Sequence, residues 1–209
     1  MNTRIQKLLL SMVIFCLIGL VYPISSLAQT STTYTVQPGD SLWKISVRYQ
    51  IGLTEIIEAN PQIQNPDLIY PQQKVNIPVI DRIKAIEHDV IQLCNQERAK
   101  HGLAPLRADW ELSRVARHKS QDMRDKGYFS HQSPTYGSPF DMMRAYGITY
   151  RAAGENIAMG QRTAQQVVQG WMNSQGHRQN ILSQNYTHIG VGFVEGSSGP
   201  YWTQLFLSK

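Results

Sequence analysis

The side chains able to ligate a metal, move a proton or attack a carbonyl are concentrated in the second half of this sequence. All six histidines (His88, His101, His118, His131, His177 and His188) follow residue 81. Imidazole changes charge near neutral pH and ligates transition metals when neutral, so each is a candidate acid, base or ligand. His88, His101 and His118 fall at helical surface spacings, and His188 precedes a strand; these four are expected to face solvent. His131 has Ser130 beside it, and His177 has Ser174 close by. Adjacency in a loop does not create a catalytic serine, because nucleophile, base and orienting acid must meet in space. The sequence has no nucleophile-elbow motif and no evident orienting acid beyond Glu155, so serine hydrolysis is not expected. Asn156, Arg178 and Asn180 are expected to satisfy loop backbone groups.

Two groups of elements must position these residues. In the first, Tyr34–Val36 has strand character, Pro38–Gly39 a turn, and Leu42, Ile45 and Tyr49 one helical face behind a cap at Asp40 or Ser41. Thr54 is expected to cap a second short helix carrying Ile56 and Ile57. Asn60–Pro61 ends it, because the residue before proline disfavours helix. After a loop through Pro66 and Pro71, residues 74–77 return as a strand, giving the order βααβ. Beyond Pro78, helical spacing recurs at Ile83, Ile86, Val90, Leu93 and Cys94, with Gly102 as the stop. Asp109 begins a helix ending near Gly127, Ser138–Pro139 opens a third, and Thr163 with Gln166 forms a capping box for a fourth. Residues 189–193 and 201–207 alternate in polarity about Gly196–Gly199, a hairpin signature. The fold class expected is α+β.

The N-terminus has an export signature. Arg4 and Lys7 precede the apolar run 8–21, and Ser26–Leu27–Ala28 offers a cleavage site after Ala28. The run is shorter than the ~20 residues of a membrane span, so a permanent anchor is not expected. Phe15 before Cys16 argues against a lipid anchor. Once residues 1–28 are removed, Cys94 is the remaining cysteine and no intramolecular disulfide can form. It is expected to be a small core residue. Charge divides unevenly: residues 29–80 carry three basic and four acidic side chains, and residues 81–209 carry fifteen basic and eleven acidic. Without a Lys/Arg run, this mild surplus does not suit nucleic acid.

The stretches YTVQPGDSLWKIS and NPDLIYPQQKVNIP resemble a LysM domain across residues 34–78, after a spacer at 29–33. The resemblance implies binding of N-acetylglucosamine-containing glycan, peptidoglycan or chitin-like. The implied groove is formed by Gly39, Asp40, Ser41 and Leu42 with Pro66, Asp67, Leu68 and Ile69. Trp43 is expected in the core, since large apolar side chains are usually buried. Gln72–Gln73 stands where many LysM sequences have Gly–Gln. A single module implies modest affinity, without avidity from tandem copies.

Residues 86–207, within a domain expected to span 81–209, resemble the CAP superfamily (cysteine-rich secretory, antigen 5 and pathogenesis-related proteins) in its bacterial form without disulfides. The resemblance rests on NQERAKHGLAPLRAD, FSHQSP, AGENIAMG and VVQGWMNSQGHRQNIL followed by HIGVGF. It implies an α-β-α sandwich with a cleft lined by His131, Glu155 and His177. Ser174 stands where a second Glu is common. Two imidazoles and one carboxylate can hold Zn2+ or another divalent cation and leave a position for water. Glu155 could instead accept hydrogen bonds that hold a Gly154–Asn156 turn. The combined resemblance implies a secreted, wall-associated protein that binds glycan through LysM and presents the CAP cleft to a ligand, without assured catalysis. The alternative it implies is a metal-dependent hydrolase of peptides or wall polymers. LysM–CAP pairings resemble exported proteins of endospore-forming bacteria, which adds cell-wall or spore-coat proteins as candidate partners. Sterol or lipid binding, known elsewhere in the superfamily, has no specific mark here.

Overall fold

A computed structural model describes residues 31–209. The export signature, its cleavage site and Cys16 lie outside the described residues, among which no helix is long and apolar enough to cross a membrane. The N-terminal module comprises β1 (Ser31–Thr35), α1 (Leu42–Tyr49), α2 (Leu53–Glu58) and β2 (Lys74–Pro78). The two strands pair antiparallel from Ser31↔Pro78 to Thr35↔Lys74, so pairing begins inside the expected spacer and ends before Val36. Ser41 rather than Asp40 caps α1, accepting from Lys44 N at 3.2 Å. Gly52, not Thr54, is the N-cap of α2, and it contributes no side-chain bond. Leu42, Ile45, Ile56, Val75 and Ile77 close a small core. Trp43 is not part of it. One position from inward-facing Leu42, it turns outward and is 52% exposed.

The second domain comprises α3 (Asp81–Lys100), β3 (Arg107–Ala108), α4 (Trp110–Lys126), α5 (Pro139–Ala145), β4 (Ala152–Met159), α6 (Ala164–Asn173), α7 (Gln175–Ile181), β5 (His188–Val194) and β6 (Tyr201–Ser208). Its sheet has the order β3-β5-β6-β4, with β3 parallel to β5 and the other pairs antiparallel. The segment containing Gly154–Asn156, expected as a turn, is the interior of edge strand β4.

Helices cover both faces of this sheet. The period of two along β6 sends Trp202 and Phe206 into one core with Val90 and Cys94 of α3 and Val167 and Trp171 of α6. Leu205 and Leu207 enter the other, with Leu112, Val115 and Ala116 of α4 and Met142 and Met143 of α5. This is the expected α-β-α sandwich. Strand β5 has the same division by a different device. Ile189, Val191 and Phe193 face the first core, while Gly190 and Gly192 lie beneath α4. A Cβ at either glycine would fall far inside van der Waals contact of the α4 backbone at Leu112–Ser113 or Ala116–Arg117. The two glycines therefore allow α4 to lie directly on the sheet. Cys94 is fully buried and accepts from Gln204 Nε2 at 3.0 Å, and burial pushes its thiol up to about 12. The Thr163 cap forms, accepting from Gln166 N at 3.1 Å. The reciprocal half of the box differs, because Gln166 Oε1 accepts from Arg162 N at 2.8 Å.

Candidate functional site

The loop after α4 carries His131, and α4 itself supplies the groups that shape it. Gly127 ends the helix with φ +65°. Lys119, 1% exposed, points its ammonium at this loop and donates to the carbonyls of Ser130 at 2.8 Å and His131 at 3.0 Å, and to Tyr128 Oη at 3.2 Å. Asp122, one turn on, accepts from Tyr128 Oη at 2.5 Å, Ser133 Oγ at 2.7 Å and Thr135 Oγ1 at 2.6 Å. A cation and an anion on one helix face thus hold the loop through six bonds. Burial lowers the Lys119 pKa, opposed by the charges of Glu155 and Asp122. Burial would raise that of Asp122, but hydrogen bonds from Thr135, Tyr128 and Ser133 outweigh it and hold it below the usual value.

Glu155 meets this loop from β4. Its side chain is 2% exposed, and Oε1 accepts from His131 Nδ1 at 2.6 Å. A carboxylate only accepts, so this geometry puts the proton on Nδ1 and leaves Nε2 as the acceptor of a ring that is 54% exposed. Oε2 of Glu155 is buried without a hydrogen-bond partner. On the opposite face of β4, buried Asn156 donates through Nδ2 to the carbonyl of His177 at 3.1 Å and to Gln204 Oε1 at 3.0 Å. Asn180 Nδ2 donates to the carbonyl of Glu155 at 3.1 Å and to Asn156 Oδ1 at 2.8 Å. Gly154 is required here, since a Cβ would lie 2.5 Å from Tyr186 Oη and 3.2 Å from Asn180 Oδ1. Burial lowers the His177 pKa, and the nearby charge of His131 lowers it further.

Ser174 lies at the break between α6 and α7, three residues before His177, and makes no side-chain capping bond. Ser130 Oγ accepts from Gln132 N at 3.1 Å, a local turn bond. Arg178 donates to the carbonyl of Met172 at 2.8 Å. Among the described residues, no three His, Cys, Asp or Glu side chains are grouped as a metal site would group them. With Glu155 Oε1 engaged by His131, the arrangement as it stands does not fit a divalent ion. What it can supply is an oriented imidazole whose free nitrogen accepts a proton or hydrogen bond from a ligand at the surface.

In the N-terminal module, much of the first loop is occupied internally. Asp40 Oδ2 accepts from Tyr34 Oη at 2.7 Å and Gln37 N at 2.8 Å, while Oδ1 pairs with Arg48 at 3.1 Å. Leu42 is 2% exposed and Gly39 adopts φ +84°. The second loop turns on Asn65, whose Oδ1 accepts from Asp67 N at 3.1 Å. Pro66 and Ile69 are half-buried, and Leu68 is 50% exposed. Tyr70, 60% exposed, joins Leu68 in lining a shallow depression of about 630 Å3. Gln72 adopts φ +71°, so the glycine-type turn is kept without glycine.

Lys119 and Asp122 were not anticipated from the sequence, and His118 was expected to face solvent. His118 is 4% exposed and bonded to the hydroxyl of Tyr146. The available signal was length. Helix α4 spans 17 residues, whereas Leu112, Ala116 and Met123 mark a single apolar stripe. Much of the rest of its surface carries polar side chains that are nevertheless buried, among them Arg114, Arg117, Lys119 and Asp122.

Comparison with known proteins completes this picture. Residues 91–206 match the family model for the cysteine-rich secretory protein family (CAP), and residues 34–78 match that for the LysM domain. The chain is 62% identical over 127 residues to the uncharacterized protein YkwD of Bacillus subtilis, covering 61% of this chain and 49% of that protein. It therefore spans about half the length of that curated relative. A 45-residue stretch is 47% identical to SpoIVD-associated factor A of Bacillus subtilis, covering 22% of this chain and 12% of that protein. Among solved structures, an extracellular protein containing an SCP domain from Bacillus anthracis superposes with a TM-score of 0.58 at 35% identity. That match covers 66% of this chain and 47% of the other. With its family model matched over more than half its length and a LysM domain ahead of it, this chain belongs to the cysteine-rich secretory protein (CAP) family.

Proposed function

We propose that this chain is an exported, wall-associated binding protein. The LysM module takes up N-acetylglucosamine-containing glycan, peptidoglycan or chitin-like, along the loops Gly39–Leu42 and Pro66–Ile69. The CAP domain offers His131, Glu155, Ser174 and His177 to a wall-derived ligand. The observation that carries the reading is the outward placement of Leu68 and Tyr70 beside an open depression in the second loop. Apolar and aromatic side chains at a concave surface suit the faces of sugar rings, and loop amides suit acetamido groups. Sedimentation of residues 29–209 with purified peptidoglycan tests this. The unmodified protein pellets, Leu68→Ala/Tyr70→Ala weakens pelleting at least several-fold, and unmodified protein that stays in the supernatant ends the proposal. Spore-coat fractions in the same assay test a spore location.

A second reading, metal-dependent hydrolysis of peptides or wall polymers, draws on the buried orphan Oε2 of Glu155 beside an exposed imidazole. It requires regrouping of His131, Glu155 and His177. Muropeptide release abolished by chelator and by His177→Ala would support it, and release indifferent to both would sink it.

A further inference from the structure

Val79 and Ile80 alone separate β2 from α3. Ile80 belongs to the LysM core, and Ile83, in the first turn of α3, packs against both that core and the main core of the CAP domain. Beside this apolar seam, α2 meets α4. Glu55 Oε1 accepts from Arg117 Nε at 3.1 Å, and its Oε2 lies 3.2 Å from His118 Nε2. Arg117 continues through a 2.6 Å bond to Glu87 Oε2, and Glu87 Oε1 accepts from Phe193 N at 3.2 Å. One turn further along α4, Gln121 Nε2 donates to Glu58 Oε1 at 2.7 Å. Lys84 Nζ donates to the carbonyl of Tyr49 at 3.3 Å. At the N-cap of α2, a Cβ on Gly52 would run into the Glu55 carboxylate and lie 2.5 Å from His118 Nε2, so close approach of the two helices needs glycine there.

Surface ion pairs contribute little to stability, and flexible tethering would produce nothing more than these. This network is different. The side chains of Arg117, His118 and Glu87 are 5%, 4% and 4% exposed, and that of Glu55 is 16% exposed. Charges so far removed from water persist when paired, and truncating one partner leaves the other uncompensated. We infer that the face of α4 carrying Arg117, His118 and Gln121 is a docking surface for the acidic helix α2 of the LysM module, so that the two modules act as one body. The proposed glycan-binding loops, one leading into α1 and the other following α2, are then held at a fixed offset from the His131–Glu155 pair. A wall polymer taken up by LysM meets the CAP site from one direction.

Hydrogen exchange read by mass spectrometry on residues 29–209 tests the docking without any glycan. Glu55→Gln should raise exchange of the α2 amides by about tenfold or more, and Arg117→Met should do the same from the other module. Because both variants break one link, the double variant should add little to the larger single effect. LysM exchange unchanged by Arg117→Met in a folded CAP domain, or strictly additive effects, would overturn the inference. Gln121→Glu, at the partly exposed rim, preserves the fold and sets like charges against Glu58. It should raise exchange at the C-terminal turn of α2 several-fold, and no change there would equally overturn the docking. Neither result depends on glycan affinity, so failure here leaves the proposed function standing.

Discussion

Replacing Lys119 with methionine keeps a long unbranched chain but deletes the ammonium that holds the His131 loop. The bonds to the carbonyls of Ser130 and His131, at 2.8 and 3.0 Å, are the strong ones; the 3.2 Å bond to Tyr128 Oη is weaker. Charge-assisted bonds of this kind each contribute about 1.5–3 kcal/mol. Two effects reduce the total. Ser130 and His131 are exposed residues, so water partly replaces the lost donor, and the variant is relieved of burying an ammonium whose pKa is already depressed by desolvation. The net destabilisation expected is about 2 kcal/mol, or a fall in Tm of about 4–8 °C for a protein of this size. The site should respond as well. With the loop released, the 2.6 Å bond from His131 Nδ1 to Glu155 should loosen, and the Nδ1 proton should exchange with solvent faster than in the parent protein. Urea unfolding followed by fluorescence gives the first quantity and nitrogen-correlated NMR of the imidazole gives the second. A change under about 0.5 kcal/mol with a protected Nδ1 proton would refute the idea that Lys119 holds the loop.

Gln72→Gly relieves the left-handed φ of +71° and should stabilise the LysM module by about 0.5–1 kcal/mol, measured as a rise in Tm. Trp43→Ala should change stability by no more than about 0.5 kcal/mol because the side chain is half in solvent; a loss of about 3 kcal/mol or more would return Trp43 to the core. Gly192→Ala places a methyl group against the α4 backbone and should destabilise the CAP domain by about 3 kcal/mol or more, seen as loss of the folded signal in circular dichroism. Burial works to raise the Glu55 pKa, but the hydrogen bond and charge of His118 and the charge of Arg117 outweigh it and hold the group at about 2. Its folded value is below the ordinary one, so its stabilisation is complete above about pH 4.5 and disappears as the pH falls towards 2. Glu55→Gln should therefore lower Tm at neutral pH and flatten the acid limb of a Tm-against-pH profile.

Elements marked by period and caps were legible in the sequence. Asp109 and Gly127 bound α4, Ser138–Pro139 opens α5, and alternation at 189–193 and 201–207 gives β5 and β6. Strand β4 was missed because Gly154, Glu155 and Asn156 break the alternation: one side chain is needed on each face of an edge strand for the site, and Gly154 makes room for Tyr186. Trp43 was misassigned because hydropathy does not say which side of a helix start a residue faces. His118 was read as solvated for the opposite reason. Polar spacing on α4 looked like a water-facing stripe, when another module covers it. The hydrogen bond of His131 to Glu155 was not legible, since 24 residues separate the two and no local pattern links them; the family resemblance implied only that both line one cleft.

The position of β6 in the sheet has a consequence for how the chain matures. Residues 201–208 form hydrogen bonds with β5 on one side and β4 on the other, yet every other strand precedes them in sequence. A chain emerging N-terminus first can assemble its helices and the small LysM sheet, but the gap between β4 and β5 stays open until the final strand arrives. Trp202 and Phe206 reach the core only then. Completion of this sheet is therefore a late event that waits on its last strand in sequence.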